Sequence, residues 1–283
     1  MRTIALCLAF VIGLGACAHG PERHAARELK RIHHGLDKAI AGDWRDPGNV
    51  ARDKYRHPRE TLAFFGIRRD MTVIEIWPAT GWYSEILAPY LRKKGHYLAA
   101  MNLAERSGDE AAQASAQKQL DTLRAKFAKD PDVYEDAEVV EFEPAAPVLG
   151  PPASADAVLT FRNVHNWVMA GTEVQMFEAM FEVLKPGGVL GVVDHRAADD
   201  ADLEGVRNSG YLPEAYVINL ALRAGFQLQA RSEINANPRD TKDYPEGVWT
   251  LPPTLTLGAV DRDKYLAIGE SDRMTLRFTK PAK

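Results

Sequence analysis

At 283 residues the chain has room for one large α/β domain with additions, since a single core extends to roughly 250–300 residues before chains divide. Its 46% hydrophobic and 26% charged residues are ordinary for a folded globular protein. A formal charge of -4 provides no broad positive field, which excludes nucleic acid as the expected partner.

From the N-terminus, Arg2 precedes an apolar run from Ile4 to Gly15, too short for a permanent membrane span but suited to the hydrophobic region of a secretory signal peptide. The run ends in Leu14, Gly15, Ala16 and Cys17, which resembles the bacterial lipobox, where the cysteine is lipidated and becomes the first mature residue. An ordinary small-residue cleavage site that happens to hold a cysteine is the alternative. Cys7 would leave with the leader and Cys17 would carry lipid, so no disulfide is expected. Ala18 stands where aspartate often signals inner-membrane retention, so the lipobox resemblance implies the periplasmic face of the outer membrane. The chain divides accordingly into a leader (1–17), a tether with an N-terminal helix (18–52) and a domain (53–283).

PERHAARELKRIHHGLDKAIAG places Leu29, Ile32, Leu36, Ala39 and Ile40 at helical spacing, which predicts an amphipathic helix packed on the domain. His33 and His34 are adjacent and point about 100° apart on such a helix, which suits a solvated face and not a metal pair. DKYRHPRETLAFFGI predicts a helix beginning near Pro58 and ending at Gly66. MTVIEIW reads as a buried strand, GWYSEILAPYLRKKG as a helix and HYLAAMN as a second strand. AERSGDEAAQASAQKQLDTLRAKFAKD predicts a long helix, AEVVEFE a strand, and PAAPVLGPPASA a connection that continues neither. ADAVLTF, GGVLGVVDH, FQLQARSEI and MTLRFTK supply four more strands, with two helical segments and a long loop, 237–272, between them. Strands alternating with helices predict an α/β fold with a mostly parallel sheet covered on both faces. A loop as long as 237–272 is expected to be a lid or substrate-facing insertion; packing of Trp249 and Leu251 on the sheet is the plainer alternative.

In open α/β sheets, ligands bind beyond the carboxyl ends of the strands. The first strand runs into Glu75, Ile76, Trp77, Pro78, Ala79, Thr80 and Gly81. A dinucleotide-binding turn needs glycines for the bend, for pyrophosphate approach and for helix packing, so this loop predicts no nicotinamide cofactor. The second strand ends at Asn102, which can meet a ribose hydroxyl or, with Glu105, cap a helix. TFRNVHNW crowds Arg162, Asn163, His165, Asn166 and Trp167 beyond the fourth strand, more polar groups than a connection requires. Imidazoles titrate near neutrality, so His165 is the candidate general base, with a hydrogen-bonded structural histidine as the alternative. Asp194, His195 and Arg196 end the fifth strand; spacing alone does not make a metal site of Asp194, His195 and His165, and none is expected. Arg56, before the Pro58 helix, is a candidate bidentate partner for a ligand carboxylate, against a surface salt bridge.

Glu75 followed by Gly81 resembles motif I of class I S-adenosylmethionine-dependent methyltransferases, with Trp77 and Ala79 at two glycine places. EIWPATGWYSEILAPYL, TFRNVHNW and LKPGG together resemble a group of predicted bacterial methyltransferases of that class, over about Asp53 to Lys280. The resemblance implies a Rossmann-like, doubly wound, mostly parallel seven-stranded sheet with an antiparallel last strand, plus the N-terminal helix. It also implies S-adenosylmethionine as cofactor, surrounded by Glu75, Trp77, Ala79, Gly81, Asn102, Arg56 and Asn163, with His165 acting on the acceptor. TFRNVHNW is not the NPPY-type sequence that orients an exocyclic amine, so a small-molecule or envelope-associated acceptor is expected rather than a DNA base. The alternative is a non-catalytic envelope lipoprotein that binds a ligand on the same scaffold, since fold does not fix function. Replacing Cys17 by serine is expected to release the protein from the membrane fraction of a bacterial host; unchanged membrane association of C17S would contradict the lipid anchor.

Overall fold

The computed structural model describes residues 32, 34–103 and 110–282, so the leader, Cys17, the tether, His33 and Glu105 lie outside the described residues. Helices α1 (34–40), α2 (Pro47–Val50), α3 (Asp53–Arg56) and α4 (Pro58–Phe65) lead into β1 (Thr72–Ile76) at the centre of the sheet. The chain moves outward through α5 (Ser84–Leu91), β2 (His96–Asn102), α6 (Glu110–Lys129), α7 (Pro131–Tyr134) and β3 (Ala137–Phe142). It returns to the centre with β4 (Ala155–Phe161), then runs through α8 (Val164–Ala170), α9 (Glu173–Val183) and β5 (Leu184–His195). Helices α10 (Leu203–Val206) and α11 (Glu214–Arg223), strand β6 (Gln227–Ser232), helix α12 (Arg262–Ile268) and strand β7 (Arg273–Thr279) complete it.

The strand order is β3-β2-β1-β4-β5-β7-β6, with β7 antiparallel to both neighbours and the other pairs parallel. This is the expected seven-stranded, doubly wound sheet. Its order reverses between β1 and β4, so the crevice at their carboxyl ends is where a ligand fits. Alternate residues of β1 serve opposite faces. Val73 joins a core with residues of α1, α4, α5 and α6, while Ile74 and Ile76 join one with residues of α8, α9 and α11.

The N-terminal helix docks as its periodicity requires: Leu36 and Ala39 are buried and His34 is exposed. Burial of Leu36 contributes about 2 kcal/mol. A second attachment follows from Pro89 inside α5, which has no N–H to donate to the carbonyl of Glu85 one turn back. The Trp44 indole donates to that carbonyl instead, at 2.9 Å.

Four local expectations change. TFRNVHNW is only briefly a loop, because α8 begins at Val164 and places His165 in its first turn. Trp167 is not a site residue; it lies 1% exposed in the core. Strand β5 starts at Leu184, ahead of Pro186, and the preceding helix has already ended at Val183. The long loop holds a short 3-10 turn (Gly247–Thr250) and α12, and Leu251 is fully buried.

The segment before β1 is tied to the start of β7 by one carboxylate. Glu270, 3% exposed, accepts from Arg52 Nε at 2.7 Å, Arg56 Nε at 3.1 Å and Arg273 Nη1 at 3.1 Å. Burial alone would raise its pKa, but Arg56, Arg273, Arg52 and Arg162 together lower it from 4.5 to about 2. Its stabilising contribution is therefore complete above the unfolded value and is lost as pH falls from about 4.5 toward 2. Glu270→Gln should destabilise the fold by roughly 3–5 kcal/mol at neutral pH, because three guanidinium groups are left facing one another. It should also flatten this acid limb in urea titrations; an E270Q protein as stable as the wild type would contradict the clamp.

Candidate functional site

A cavity of about 810 Å³ opens at the carboxyl ends of β1, β2, β4 and β5, with Val248, Trp249, Pro252, Pro253 and Thr254 of the long loop along one wall. Arg56, Glu75, Trp77, Ala79, Asn102, Asn163 and His165 all line it. Gly81 lies behind the lining and shapes the turn: it has φ +85°, and a Cβ there would come within 2.8 Å of Leu123 Cδ1 and 3.2 Å of Ser84 Oγ.

The first loop keeps a glycine-like path without the glycines. Trp77 has φ +45° and Ala79 φ +52°, a left-handed conformation that side chains disfavour by about 1–2 kcal/mol each. The indole of Trp77 is anchored by donating to Gln119 Oε1 at 2.9 Å, and its amide donates to Ala100 O at 2.7 Å. Beneath the loop Glu75 is 2% exposed and accepts from the Tyr97 hydroxyl at 2.6 Å. Burial raises its carboxyl to about 7 even though Tyr97 and Ser84 pull it down.

Two lining residues present unused hydrogen-bonding atoms. Asn102 Oδ1 is buried with no partner among the described residues. Arg56, 4% exposed, gives Nε to Glu270 and stacks its guanidinium 4.7 Å from the Trp82 ring, while Nη2 is buried with no partner among the described residues. It is therefore not a surface salt bridge. Asn163 is differently engaged: its Nδ2 donates to Ile76 O at 2.7 Å and Thr160 Oγ1 at 3.2 Å, tying the end of β1 to β4.

Across the cavity two imidazoles converge, their ring centroids 5.0 Å apart. His165 Nδ1 lies 2.8 Å from Asp194 Oδ1; with the carboxylate accepting, Nδ1 is the donor, and in the neutral tautomer the lone pair is on Nε2. Asp194 is fully buried and also accepts from the backbone N–H groups of Val164 at 2.7 Å, His165 at 3.3 Å and His195 at 2.7 Å. His195 Nδ1 meets Ser271 Oγ at 2.5 Å. Burial, then the charges of His165, Arg162, Arg273 and Arg56, hold the His195 pKa well below the usual imidazole range, so this ring is neutral. The Trp249 ring stands edge-on to His165 at 6.1 Å, which makes the long loop a wall of the site.

His165, Asp194 and His195, which spacing alone did not make a metal site, bring one ligand-type atom each within 4.8 Å of the others. The Asp194 oxygens are nevertheless occupied by three backbone N–H groups and a ring nitrogen, which makes the carboxylate a support for His165 rather than an open ligand. Sequence reasoning missed this dyad. Its only sequence signal was that both residues follow apolar runs of adjacent parallel strands, where Phe161 pairs with Val193.

The architecture is the Rossmann-like fold of the S-adenosylmethionine-dependent methyltransferases. A SAM-dependent methyltransferase from Aquifex aeolicus superposes with a TM-score of 0.54 at 16% identity, covering 89% of this chain and 98% of that one. A candidate sarcosine dimethylglycine methyltransferase from Galdieria sulphuraria superposes with a TM-score of 0.57 at 13% identity, covering 93% and 98%. The [4+2]-cyclase SpnF is as similar, with a TM-score of 0.57 at 14% identity and 86% of each chain covered. Neither a family model nor a curated protein matches the chain in sequence.

The strained loop yields a prediction. Ala79→Gly relieves a positive φ and is expected to leave stability unchanged or raise it by up to about 1 kcal/mol, whereas Gly81→Val should lower it by more than about 2 kcal/mol. Urea unfolding of both variants checks this; a strongly destabilised A79G would show that the Ala79 methyl has a packing role that outweighs its strain.

Proposed function

We propose that the protein is a methyltransferase using S-adenosylmethionine, acting on a small-molecule or envelope-associated acceptor from the periplasmic face of the outer membrane, to which lipidated Cys17 anchors it. The observation that carries this reading is the glycine-like path of Trp77, Ala79 and Gly81 at the switch point of a methyltransferase fold. The donor set suits the cofactor: with no partner among the described residues, Asn102 Oδ1 can accept from a ribose hydroxyl and Arg56 Nη2 can meet the methionine carboxylate, and Trp77 and Ala79 line the same cavity. When bound, the cofactor supplies an electrophilic methyl group on a sulfonium sulfur.

The remaining chemistry belongs to the chain. Asp194 fixes the His165 tautomer, so Nε2 can take the proton of a hydroxyl, thiol or amine acceptor. Trp249 and the adjoining prolines narrow the cleft around that nitrogen and restrict water. Holding the acceptor in one orientation is itself a large part of what such a cleft contributes.

Calorimetric titration with S-adenosylmethionine and S-adenosylhomocysteine tests the reading. Micromolar binding that is lost in Gly81→Trp and kept in His165→Ala is the expected result, with turnover of H165A on an identified acceptor lowered about 10²- to 10⁴-fold. A folded protein that binds neither compound at millimolar concentration would contradict it and favour a ligand-binding lipoprotein.

A further inference from the structure

Arg162 is the most unusual residue on the cavity wall. It follows the last residue of β4 with φ +62°, a left-handed conformation held by its amide donating to Val193 O at 2.7 Å. Such strain is sustained where surrounding structure over-determines it, commonly at a functional site. Its guanidinium lines the cavity and makes no hydrogen bond or ion pair with any described residue. Burial and the neighbouring guanidinium groups lower its pKa only to about 10, so it is charged at neutral pH.

The two cavity guanidinium groups are not equivalent. Arg56 stacks on Trp82, next to the first loop, and one of its nitrogens is committed to Glu270. Arg162 lies three residues before His165, and its charge acts on Asp194 and, more strongly than that of Arg56, on His195. Arg56 therefore stands at the cofactor end and Arg162 at the imidazole end. A metal cation is disfavoured at that end, because the His195 ring already lies in the positive field of Arg162, Arg273 and Arg56, and the Asp194 oxygens are occupied. The same field favours an anion.

We propose that the acceptor is an anion, whose ionised carboxylate or phosphate seats on the free guanidinium of Arg162 beside the Nε2 atoms of His165 and His195. This rests on the methyl-transfer reading for its role, although the anion site itself does not. A planar five-donor fork with no partner among the described residues suits either anion, and bidentate contact would fix the orientation of the group to be methylated toward His165.

The test is calorimetric titration with benzoate, benzamide and phenyl phosphate, with and without saturating S-adenosylhomocysteine. The wild-type protein should bind benzoate or phenyl phosphate at least about tenfold more tightly than neutral benzamide, and the tighter of the two anions identifies the source. Arg162→Gln should remove most of that preference, and Arg162→Lys should restore part of it, with S-adenosylhomocysteine affinity within about twofold of wild type in both. The benzoate–benzamide comparison needs no variant and stands even if R162Q does not fold. Equal binding of benzoate and benzamide, an unchanged preference in R162Q, or anions that displace S-adenosylhomocysteine would overturn the proposal. S-adenosylhomocysteine binding without anion preference defeats only the anion site. Anion preference without S-adenosylhomocysteine binding defeats only methyl transfer.

Discussion

The carboxylate of Asp194 is fully buried and takes four hydrogen bonds, from the amides of Val164, His165 and His195 and from the His165 ring. Those contacts join the end of β5 to the first turn of α8. They supply the acceptor that the exposed N–H groups at a helix start require, which the residue in the N-cap position, Asn163, does not provide. The same atoms set the histidine tautomer, so helix capping and proton chemistry depend on one buried group. A carboxylate desolvated to this degree is tolerated because all of its partners are donors.

The opposite wall shows the converse arrangement, a loop that carries strain instead of relieving it. Glycines at positions 77 and 79 would adopt the observed φ values without penalty, yet tryptophan and alanine stand there. The Trp77 indole is held by Gln119 of α6 and packs against both cores, so side-chain contacts offset the backbone cost. The loop shape thus survives through tertiary support. A likeness of this chain to SpnF, a cyclase, makes the side chains rather than the fold the basis for any statement about reaction.

Much of the scaffold was legible because its signals are local. Strands β1, β2, β4 and β5 hold apolar runs, β7 alternates polar with apolar residues, and Gly66 does end α4 with φ +73°. The start of α8 was not legible, because its capping group comes from Asp194, thirty residues away in sequence and adjacent only through the β4–β5 register. Trp167 was misread for the same reason: within an assumed loop it looked available, whereas the helix turns it into the core. The single glycine of the first loop was visible as a departure from the motif it resembles, but sequence could not say that Trp77 and Ala79 would follow the glycine path. Arg162 was visible as a polar residue at a strand end; its lack of partners among the described residues is a property of the folded neighbourhood.

The most direct test of the account is a crystal structure of the protein with S-adenosylhomocysteine. The account predicts the ligand across the carboxyl ends of β1 and β2, its ribose at Asn102, its carboxylate at Arg56 and its sulfur facing His165. A ligand bound elsewhere, or a cleft closed to it by the Trp77 and Ala79 side chains, would contradict the account.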